Sequence, residues 1–357
     1  QHFETLSHFF KGLGIQVALL TQNVAKKEKE AILAKLRNGT ISVVIGTHSL
    51  IQETVSFQSL GLVITDEQHR FGVNQRKLLQ QKGNFPDMLV MTATPIPRTL
   101  ALTLYGDLDI STITTMPEGR KEIRTFVRGE ASRRKVYQFA LDQIKKGKQI
   151  YVVAPAIEEN IEFPMKSVEA LQKELQMIFN EQIRIGVLHG QIKSNDKAQV
   201  MEDFHNREID LLISTTVIEV GVHVANATVM IIESAERFGL SQLHQLRGRV
   251  GRGDAESFCI LISSSVENSR LQAMERIRDG FFLAEEDLKL RGPGEFFGEK
   301  QHGLPELRIT DLFMNVEILK ETRDFAFEIL ENPKKWKIFI EEMHKGFSHW
   351  LLKTNQH

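Results

Sequence analysis

Short apolar runs alternate with amphipathic helical patterns in the first third of the chain. The apolar runs are 15–20 (IQVALL), 41–45 (ISVVI), 60–65 (LGLVIT) and 87–92 (DMLVMT). Helical patterns lie at 26–37 and 75–82. Runs that are apolar throughout, when helices separate them, are typical of strands buried on both faces of a parallel sheet. The pattern therefore predicts an α/β unit built on a parallel sheet.

The alternation lapses at 114–121 (TTMPEGRK) and then restarts. Further strands are predicted at 123–127, 149–153, 184–188, 209–213, 228–232 and 257–262, and helices at 131–146, 168–179, 194–206 and 240–247. Beyond residue 263 the predicted elements are helices at 266–279, 281–290, 311–331 and 333–352, with a Gly/Pro-rich segment at 291–305. The pattern therefore predicts two parallel-sheet units and a helical C-terminal region. The predicted domains are 1–113, 123–263 and 264–357, and the predicted linker is 114–122.

Composition excludes several classes of protein. The 357 residues carry 45 Lys and Arg against 46 Asp and Glu, so any nucleic-acid contact must rest on local patches. The single cysteine, Cys259, excludes a disulfide framework and a thiolate zinc cluster. No apolar run approaches the roughly 20 residues that span a bilayer, so we expect a cytoplasmic protein with no membrane partner. Because the chain opens on Gln1 inside a helical pattern, we expect it to be a piece of a longer protein.

An acidic turn follows the predicted strand 60–65. Its residues are Asp66, Glu67, Gln68 and His69. Open parallel sheets bind ligands outside the carboxyl ends of their strands, so both carboxylates are expected where a ligand binds. In nucleotide hydrolases such an Asp holds Mg²⁺ and a neighbouring carboxylate orients the attacking water. The alternative is an acidic pair that caps the next helix.

The string MTATPIPR at 91–98 ends the next predicted strand. Thr92 and Thr94 supply short hydroxyl groups that can bridge the acidic turn to a group across a cleft. Alternatively, Thr94 is the N-cap of the following helix.

Three arginines fall within six residues of the string QLRGRVGRG at 245–253. The arginine side chain is a fixed fork of donors that suits phosphate oxygens, and glycine allows the backbone to approach closely. An arginine finger that completes a phosphoryl-transfer site is the obvious use. The alternative is a basic loop on a nucleic-acid backbone.

The strings DEQH, TATPIPRT, STTVIEVGV and QLRGRVGR occur in the order of the later motifs of superfamily-two helicases. Within that superfamily, SAERFGLSQLH at 234–244 and LKLRGPGEFFGEKQHGLPELRITD at 288–311 resemble the RecG family of bacterial ATP-dependent branched-DNA helicases. The second string is similar to the translocation motif that RecG shares with the transcription-repair coupling factor Mfd. The resemblance implies two RecA-like motor domains, the first one incomplete.

The resemblance also implies roles for individual residues. Asp66 would hold Mg²⁺ through water, Glu67 would polarise the attacking water, and Arg249 and Arg252 would be the phosphate-sensing and finger arginines. Residues implied to bind ATP or couple it to the partner domain are Gln68, His69, Thr92, Thr94, Glu219, Gly221 and Gln245. Residues implied to contact DNA are Thr47, His48, Thr215 and Thr216. The translocation motif would comprise Arg291, Gly292, Gly294, Gly298 and Gln301.

Three departures from the family pattern stand out. No G-x-x-x-x-G-K-[ST] string occurs, so the phosphate-binding loop is expected upstream of Gln1, together with the wedge domain that grips branched DNA. His223 replaces an acidic residue of the fifth motif, so we expect that a nucleotide sugar contact is either lost or sensitive to pH. His302 stands where a serine is common.

The function implied by the resemblance is that of an ATP- and Mg²⁺-dependent DNA translocase that remodels stalled forks and branched junctions. Expected partners are branched or forked double-stranded DNA and a single-strand-binding protein, with the chain acting as a monomer. Two alternatives stay open. One is an Mfd-like double-strand translocase, and the other is a non-catalytic module that binds DNA weakly because the phosphate-binding loop is missing.

Overall fold

A computed structural model gives the fold of the chain. It describes residues 1–67, 73–92, 109–115, 121–155, 168–179, 183–215, 224–251, 253–291 and 316–344. The chain divides into two compact units, the first formed by Gln1–Thr94 with Glu219–Val222 and the second by Pro95–Ile218 with His223–His357. The finer domain boundaries and the linker at 114–122 stay predictions.

The first unit contains, in its described part, four strands in two parallel pairs and three α-helices. Its elements are α1 (His2–Phe9), β1 (Val17–Leu20), α2 (Lys26–Arg37), β2 (Val43–Gly46), β3 (Leu62–Thr65), α3 (Val73–Gln80) and β4 (Asp87–Val90). Strand β1 pairs with β2 and β3 pairs with β4, both in parallel. The core of α2 and the first pair is formed by Leu20, Ile32, Leu36, Ile41 and Val55. The predicted strands and helices of this unit are confirmed.

Two expectations about the first unit are wrong. Among the described residues its strands form two separate pairs and not one sheet. Burial on both faces also fails, because Leu62 and Ile64 of β3 are 53% and 55% exposed while Val63 between them is buried. A sheet face is buried only where another layer packs on it, and an apolar sequence does not by itself supply that layer.

The second unit is built on a six-stranded parallel sheet. Its elements are β5 (Ile123–Gly129), α4 (Arg133–Lys145), β6 (Gln149–Val153), α5 (Val168–Ile178), β7 (Ile185–Leu188), α6 (Ser194–His205), β8 (Leu211–Ser214), β9 (Ala227–Ile232), α7 (Leu240–Arg247) and β10 (Ser257–Ser263). The strand order is β5-β10-β9-β6-β8-β7. Every residue of β6, β8 and β9 is buried, as predicted for central strands covered by helices on both faces. The α/β class is therefore confirmed.

A helical C-terminal region follows the second sheet, as predicted. It comprises α8 (Ser269–Arg276), α9 (Gly280–Arg291) and α10 (Val316–Glu331), with a further helical stretch at 337–344. Helix α8 is shorter than the predicted helix at 266–279. The Asn268 side chain accepts hydrogen bonds from the amides of Arg270 and Leu271 and so starts the helix, and Ile277 is extended and ends it.

No helix in the described part of the chain is long and apolar enough to cross a bilayer.

Candidate functional site

The acidic turn lies at the carboxyl end of β3, where the sequence predicted it. Thr65 is in register with Val90 of β4, and the amide of Met91 donates to the carbonyl oxygen of Thr65 at 2.8 Å. Asp66 and Glu67 therefore leave β3 at the edge where Thr92 leaves β4. The structure thus brings three predicted residues to one end of one strand pair.

Hydrogen bonds hold the Asp66 carboxylate in place. Its Oδ1 accepts the Glu67 amide at 2.8 Å, and its Oδ2 lies 3.0 Å from Nε2 of His2. The side chain of Asp66 keeps 42% exposure, so one oxygen can still reach a ligand. In the described residues, the buried Thr65 hydroxyl beside it has no hydrogen-bond partner.

Glu67 adopts a backbone conformation that side chains other than glycine rarely take. Its φ is +53°, in the left-handed region, which costs about 1–2 kcal/mol for a residue with a Cβ. Strain of this kind persists where the surrounding structure imposes it, and it is concentrated at functional sites. The left-handed backbone therefore marks Glu67 as a candidate functional residue of the acidic turn.

The residues at this turn fit Mg²⁺. No group of three or more His, Cys, Asp or Glu residues in the described chain could form a metal cage by itself. Mg²⁺ does not need one, because it is usually held by one or two carboxylates, by waters and by substrate phosphates. The partly exposed Asp66 carboxylate offers the hard oxygen ligand that such a site requires.

Thr47 and His48 lie at the carboxyl end of β2, where a short 3₁₀ helix (His48–Ile51) begins, and both are exposed. The preceding residue must be glycine, because a Cβ on Gly46 would lie 2.3 Å from the carbonyl oxygen of Leu20 and 2.8 Å from Cγ of Leu50. The close approach of the chain at Gly46 fixes where the two side chains emerge.

Thr215 follows β8 at the carboxyl edge of the second sheet. Its amide donates to the carbonyl oxygen of Leu188 at 3.2 Å, and the residue is only 8% exposed. The preceding Ser214 is fully buried, and its hydroxyl has no partner within the described residues. Thr215 is thus anchored by the sheet, and its predicted contact with DNA stays a prediction.

The arginine string continues from the end of α7 as a tight turn. The Arg249 amide donates to the Leu246 carbonyl at 3.0 Å, and the Val250 amide donates to that of Arg247 at 3.3 Å. Gly251 has φ +75°, and a Cβ there would lie 2.7 Å from Cγ1 of Ile123. Arg249 itself is partly exposed. The glycine therefore lets the string pack closely on β5 while Arg249 reaches solvent.

The sequence analysis did not distinguish Arg247, the first arginine of the string, from the other two. Arg247 is 5% exposed, and its guanidinium donates to the carbonyl oxygens of Met274 at 2.9 Å and Ile277 at 3.1 Å. Helical spacing could have revealed this, since Arg247 lies four residues after Leu243 and seven after Leu240, both of them buried on α7. The three arginines are therefore not equivalent.

Burial changes the ionisation of two neighbours in this core. Burial lowers the pKa of Arg247 from its ordinary value, although an arginine stays charged at neutral pH. Burial raises the pKa of the Cys259 thiol to about 12, opposed in part by the nearby positive charge of Arg247. The single cysteine is accordingly a protonated packing residue and not a nucleophile.

Other predicted site residues fall outside the described residues. They are Gln68, His69, Thr94, Thr216, Glu219, Gly221, Arg252, Gly292, Gly294, Gly298 and Gln301. Gln245 lies within α7, and Arg291 is the last residue of α9 with a side chain outside the described part. The roles of all these residues stay predictions.

Profiles of three protein families match successive parts of the chain. The family described as DEAD/DEAH box helicase matches residues 1–103, and the helicase conserved C-terminal domain matches residues 132–254. The family described as ATP-dependent DNA helicase RecG, domain 3, C-terminal, matches residues 277–344. The three matches follow the first sheet unit, the second sheet unit and the helical region in that order.

Curated relatives and a solved structure carry the same name. The ATP-dependent DNA helicase RecG of Streptococcus pneumoniae serotype 4 is 47% identical over 97% of this chain and 52% of its own length. That of Bacillus subtilis is 46% identical over 94% of this chain and 50% of its own length. A structure of RecG bound to a three-way DNA junction covers 89% of this chain and 41% of that protein, with 45% identity and a TM-score of 0.69.

The chain thus spans about half the length of the curated relatives that it matches. Identity of this level extends through both sheet units and the helical region. The chain belongs to the RecG family of DNA helicases.

Proposed function

We propose that this chain is the motor part of an ATP- and Mg²⁺-dependent DNA helicase that remodels branched or forked double-stranded DNA. The observation that carries the proposal is the Asp66–Glu67 pair at the carboxyl end of β3, in a chain whose relatives are named ATP-dependent DNA helicases. Support for branched DNA comes from the related RecG that was solved on a three-way junction. A monomer in the cytoplasm, with a single-strand-binding protein among its partners, completes the proposal.

The residues of the acidic turn would divide the work at the nucleotide. Asp66 would hold Mg²⁺ through water, and the ion would neutralise charge on the transferring phosphate. Glu67, held by its left-handed backbone, would orient and polarise the attacking water. Arg249 and Arg252 would stabilise negative charge that develops on the γ-phosphate, while Gln68, His69, Thr92 and Thr94 would relay the state of the site.

The DNA would be contacted by residues that follow strand ends in both units. Thr47 and His48 are exposed after β2, and Thr215 and Thr216 follow β8. Hydroxyl and imidazole groups at such positions can donate hydrogen bonds to phosphate oxygens, which position a protein on DNA without reading its sequence. These contacts fit a motor that moves along any duplex.

ATP hydrolysis with and without forked DNA tests the proposal. We expect no DNA-stimulated turnover from the 357 residues alone, because their sequence contains no phosphate-binding loop and catalysis of phosphoryl transfer is mostly positioning and charge stabilisation. In an extended protein, in which the phosphate-binding segment precedes these residues, forked DNA should stimulate turnover. Turnover by the 357 residues that Glu67→Gln abolishes would contradict the first expectation, and an extended protein without turnover would overturn the proposed function.

Arg291 and Gln301 are expected to couple hydrolysis to movement and not to catalyse it. Arg291 ends α9, and both residues lie beyond the second sheet and far in sequence from the nucleotide motifs. A segment that only transmits motion is dispensable for hydrolysis but not for translocation. In the extended protein, Arg291→Ala and Gln301→Ala should keep much of the DNA-stimulated ATPase while fork unwinding falls steeply.

The measurement is the number of junctions unwound per ATP hydrolysed on one forked substrate. Lys289→Ala is the matched control, since Lys289 is 72% exposed on the same helix and lies 3.8 Å from the carboxylate of Glu286. If Arg291 merely caps the carbonyls of α9, its variant should show the wild-type ratio, as Lys289→Ala should.

A further inference from the structure

Two arginines flank one phenylalanine ring on an edge strand of the second sheet. Strand β5 stands at one end of the strand order, beside β10. Because side chains alternate along a strand, Arg124, Phe126 and Arg128 share one face of the sheet. The guanidinium carbons of Arg124 and Arg128 lie 5.7 Å and 4.9 Å from the centroid of the Phe126 ring. These three residues form what we call the β5 stripe.

The aromatic rings beneath the stripe hold its arginines in place. Arg124 is in register with Phe258 of β10, and its guanidinium carbon lies 5.8 Å from the centroid of that ring as well. Phe258 in turn packs edge to face against Phe139 of α4, with their centroids 5.1 Å apart. A guanidinium over an aromatic face is attracted by the charge distribution of the ring. The two cations are therefore partly ordered before any ligand arrives.

Both arginines keep donors for a ligand. Arg124 is exposed, and within the described residues no carboxylate forms an ion pair with it. The side chain of Arg128 is 44% exposed, and its Nη1 donates to the carbonyl oxygen of Val127 at 2.7 Å and lies 3.9 Å from the carboxylate of Glu275. An exposed ion pair contributes little, and an arginine carries five N–H groups. The β5 stripe therefore offers two positive charges to an anionic ligand.

The arrangement favours a phosphate backbone over nucleic-acid bases or a peptide. Bases stack on open ring faces, whereas the Phe126 ring is half-buried and has arginines against it. A peptide that extends a sheet needs the outward backbone groups of the edge strand. At Val127 those groups are already bonded, since its amide donates to Oε1 of Glu275 at 3.1 Å and its carbonyl oxygen accepts from Arg128. The planar fork of each guanidinium matches phosphate oxygens.

The β5 stripe is separate from the DNA contact proposed at Thr215. Strands β10, β9 and β6 lie between β5 and β8, which Thr215 follows. Neighbouring strands are about 4.8 Å apart, so β5 and β8 are about 19 Å apart. One helical turn of duplex DNA is about 34 Å long, so a single duplex arm is long enough to reach both places.

We propose that the β5 stripe binds the phosphate backbone of a duplex arm of forked DNA, without reading its sequence. Arg124 and Arg128 contact the phosphates, and Phe126 positions their guanidinium groups. The inference rests on the proposed function, since that function supplies the DNA, and it adds a place of contact that the helicase motifs do not contain.

Arg124→Gln and Arg128→Gln in the extended protein test the inference. Each phosphate contact adds about 0.9 to the slope of log affinity against log salt concentration. Between 50 mM and 200 mM salt, each variant should therefore lose about 3.5-fold less affinity for forked DNA than the wild type loses. Arg124→Lys keeps the charge and should keep a slope close to that of the wild type. Equilibrium binding of one forked substrate at several salt concentrations measures all of these slopes.

Lys145→Gln is the matched control. Lys145 is exposed at the end of α4, near the edge of the sheet where β6 begins, and its replacement removes one positive charge from the same unit. Its slope should equal that of the wild type. An unchanged slope in Arg124→Gln and Arg128→Gln would overturn the inference, because the arginines would then shield the strand edge or bind an acidic protein segment. An equal change in Lys145→Gln would overturn it too, since the effect would reflect net charge alone.

Hydroxyl-radical oxidation of the unmutated extended protein decides the matter if the arginine variants do not fold. The rings of Phe126 and Phe258 are half-buried, and bound forked DNA should lower their rate of oxidation. An unchanged rate at both rings would overturn the inference. A wild-type extended protein that does not bind forked DNA would instead overturn the proposed function, so the two failures are distinguishable.

Discussion

Arg252→Ala in the extended protein should lower ATP turnover by a factor of about 10³ or more, as loss of an arginine finger does. The string that contains Arg252 is fixed on both sides of Arg249, by α7 before it and by the close packing of Gly251 on Ile123 after it. Stabilisation of developing charge requires donors that are fixed in place before the reaction, and the described part of the string on either side of Arg249 is fixed in this way. DNA affinity should change little. Steady-state turnover and DNA binding at several salt concentrations check both expectations.

Two control variants test whether the loss of turnover is specific to the guanidinium of Arg252. Arg252→Lys keeps the charge but loses the planar fork, so it should recover only a small part of the turnover. Arg134→Ala removes an exposed arginine of α4 in the same unit and should behave as wild type. Unchanged turnover in Arg252→Ala, with a shallower salt dependence of DNA binding, would assign the residue to the phosphate backbone of DNA instead.

Glu67→Gln should lower ATP turnover by about 10²–10⁴, the range that a positioned general base contributes. Glutamine has nearly the same size as glutamate and the same Cβ, so the left-handed backbone at φ +53° is no more strained than before. The amide cannot accept a proton from water. Nucleotide affinity should therefore persist while hydrolysis is lost, which equilibrium binding and single-turnover hydrolysis measure separately.

Asp66→Asn separates the two carboxylates of the turn. It should weaken nucleotide binding that depends on Mg²⁺, and excess Mg²⁺ should restore part of its activity, whereas excess Mg²⁺ should not rescue Glu67→Gln. The asparagine side chain keeps an oxygen for the Glu67 amide, which Asp66 accepts at 2.8 Å, so the turn should survive. Rescue of both variants by Mg²⁺, or of neither, would refute the division of labour between Asp66 and Glu67.

Local pattern was enough to locate most elements of the fold. The runs at 149–153 and 209–213 are apolar at most positions, and they form the fully buried strands β6 and β8. A similar run at 60–65 forms β3, yet Leu62 and Ile64 are more than half exposed. The strand depends on its own residues, whereas burial depends on which layers pack against it, and that is decided by parts of the chain distant in sequence.

The candidate site, too, was predicted in part from the sequence and was decided in part by packing. The position of the acidic turn was predicted because the apolar runs in the sequence indicate where strands end. Ligands bind at the carboxyl ends of parallel strands. The left-handed backbone of Glu67 and the contact between His2 and Asp66 could not be predicted. The first depends on how the turn is packed, and the second involves a residue 64 positions away.

By itself, the sequence determined the order of elements, the parallel α/β class, and the positions of the acidic turn and of the arginine string. Tertiary structure alone decided which groups the arginines of the string contact. Arg247 and Arg249 are two residues apart and chemically identical, but Arg247 lies on the buried face of α7, within reach of carbonyls from residues 274–278, and Arg249 does not. The chemistry of a side chain determines what it can bind, and the packing of distant segments determines which partners surround it.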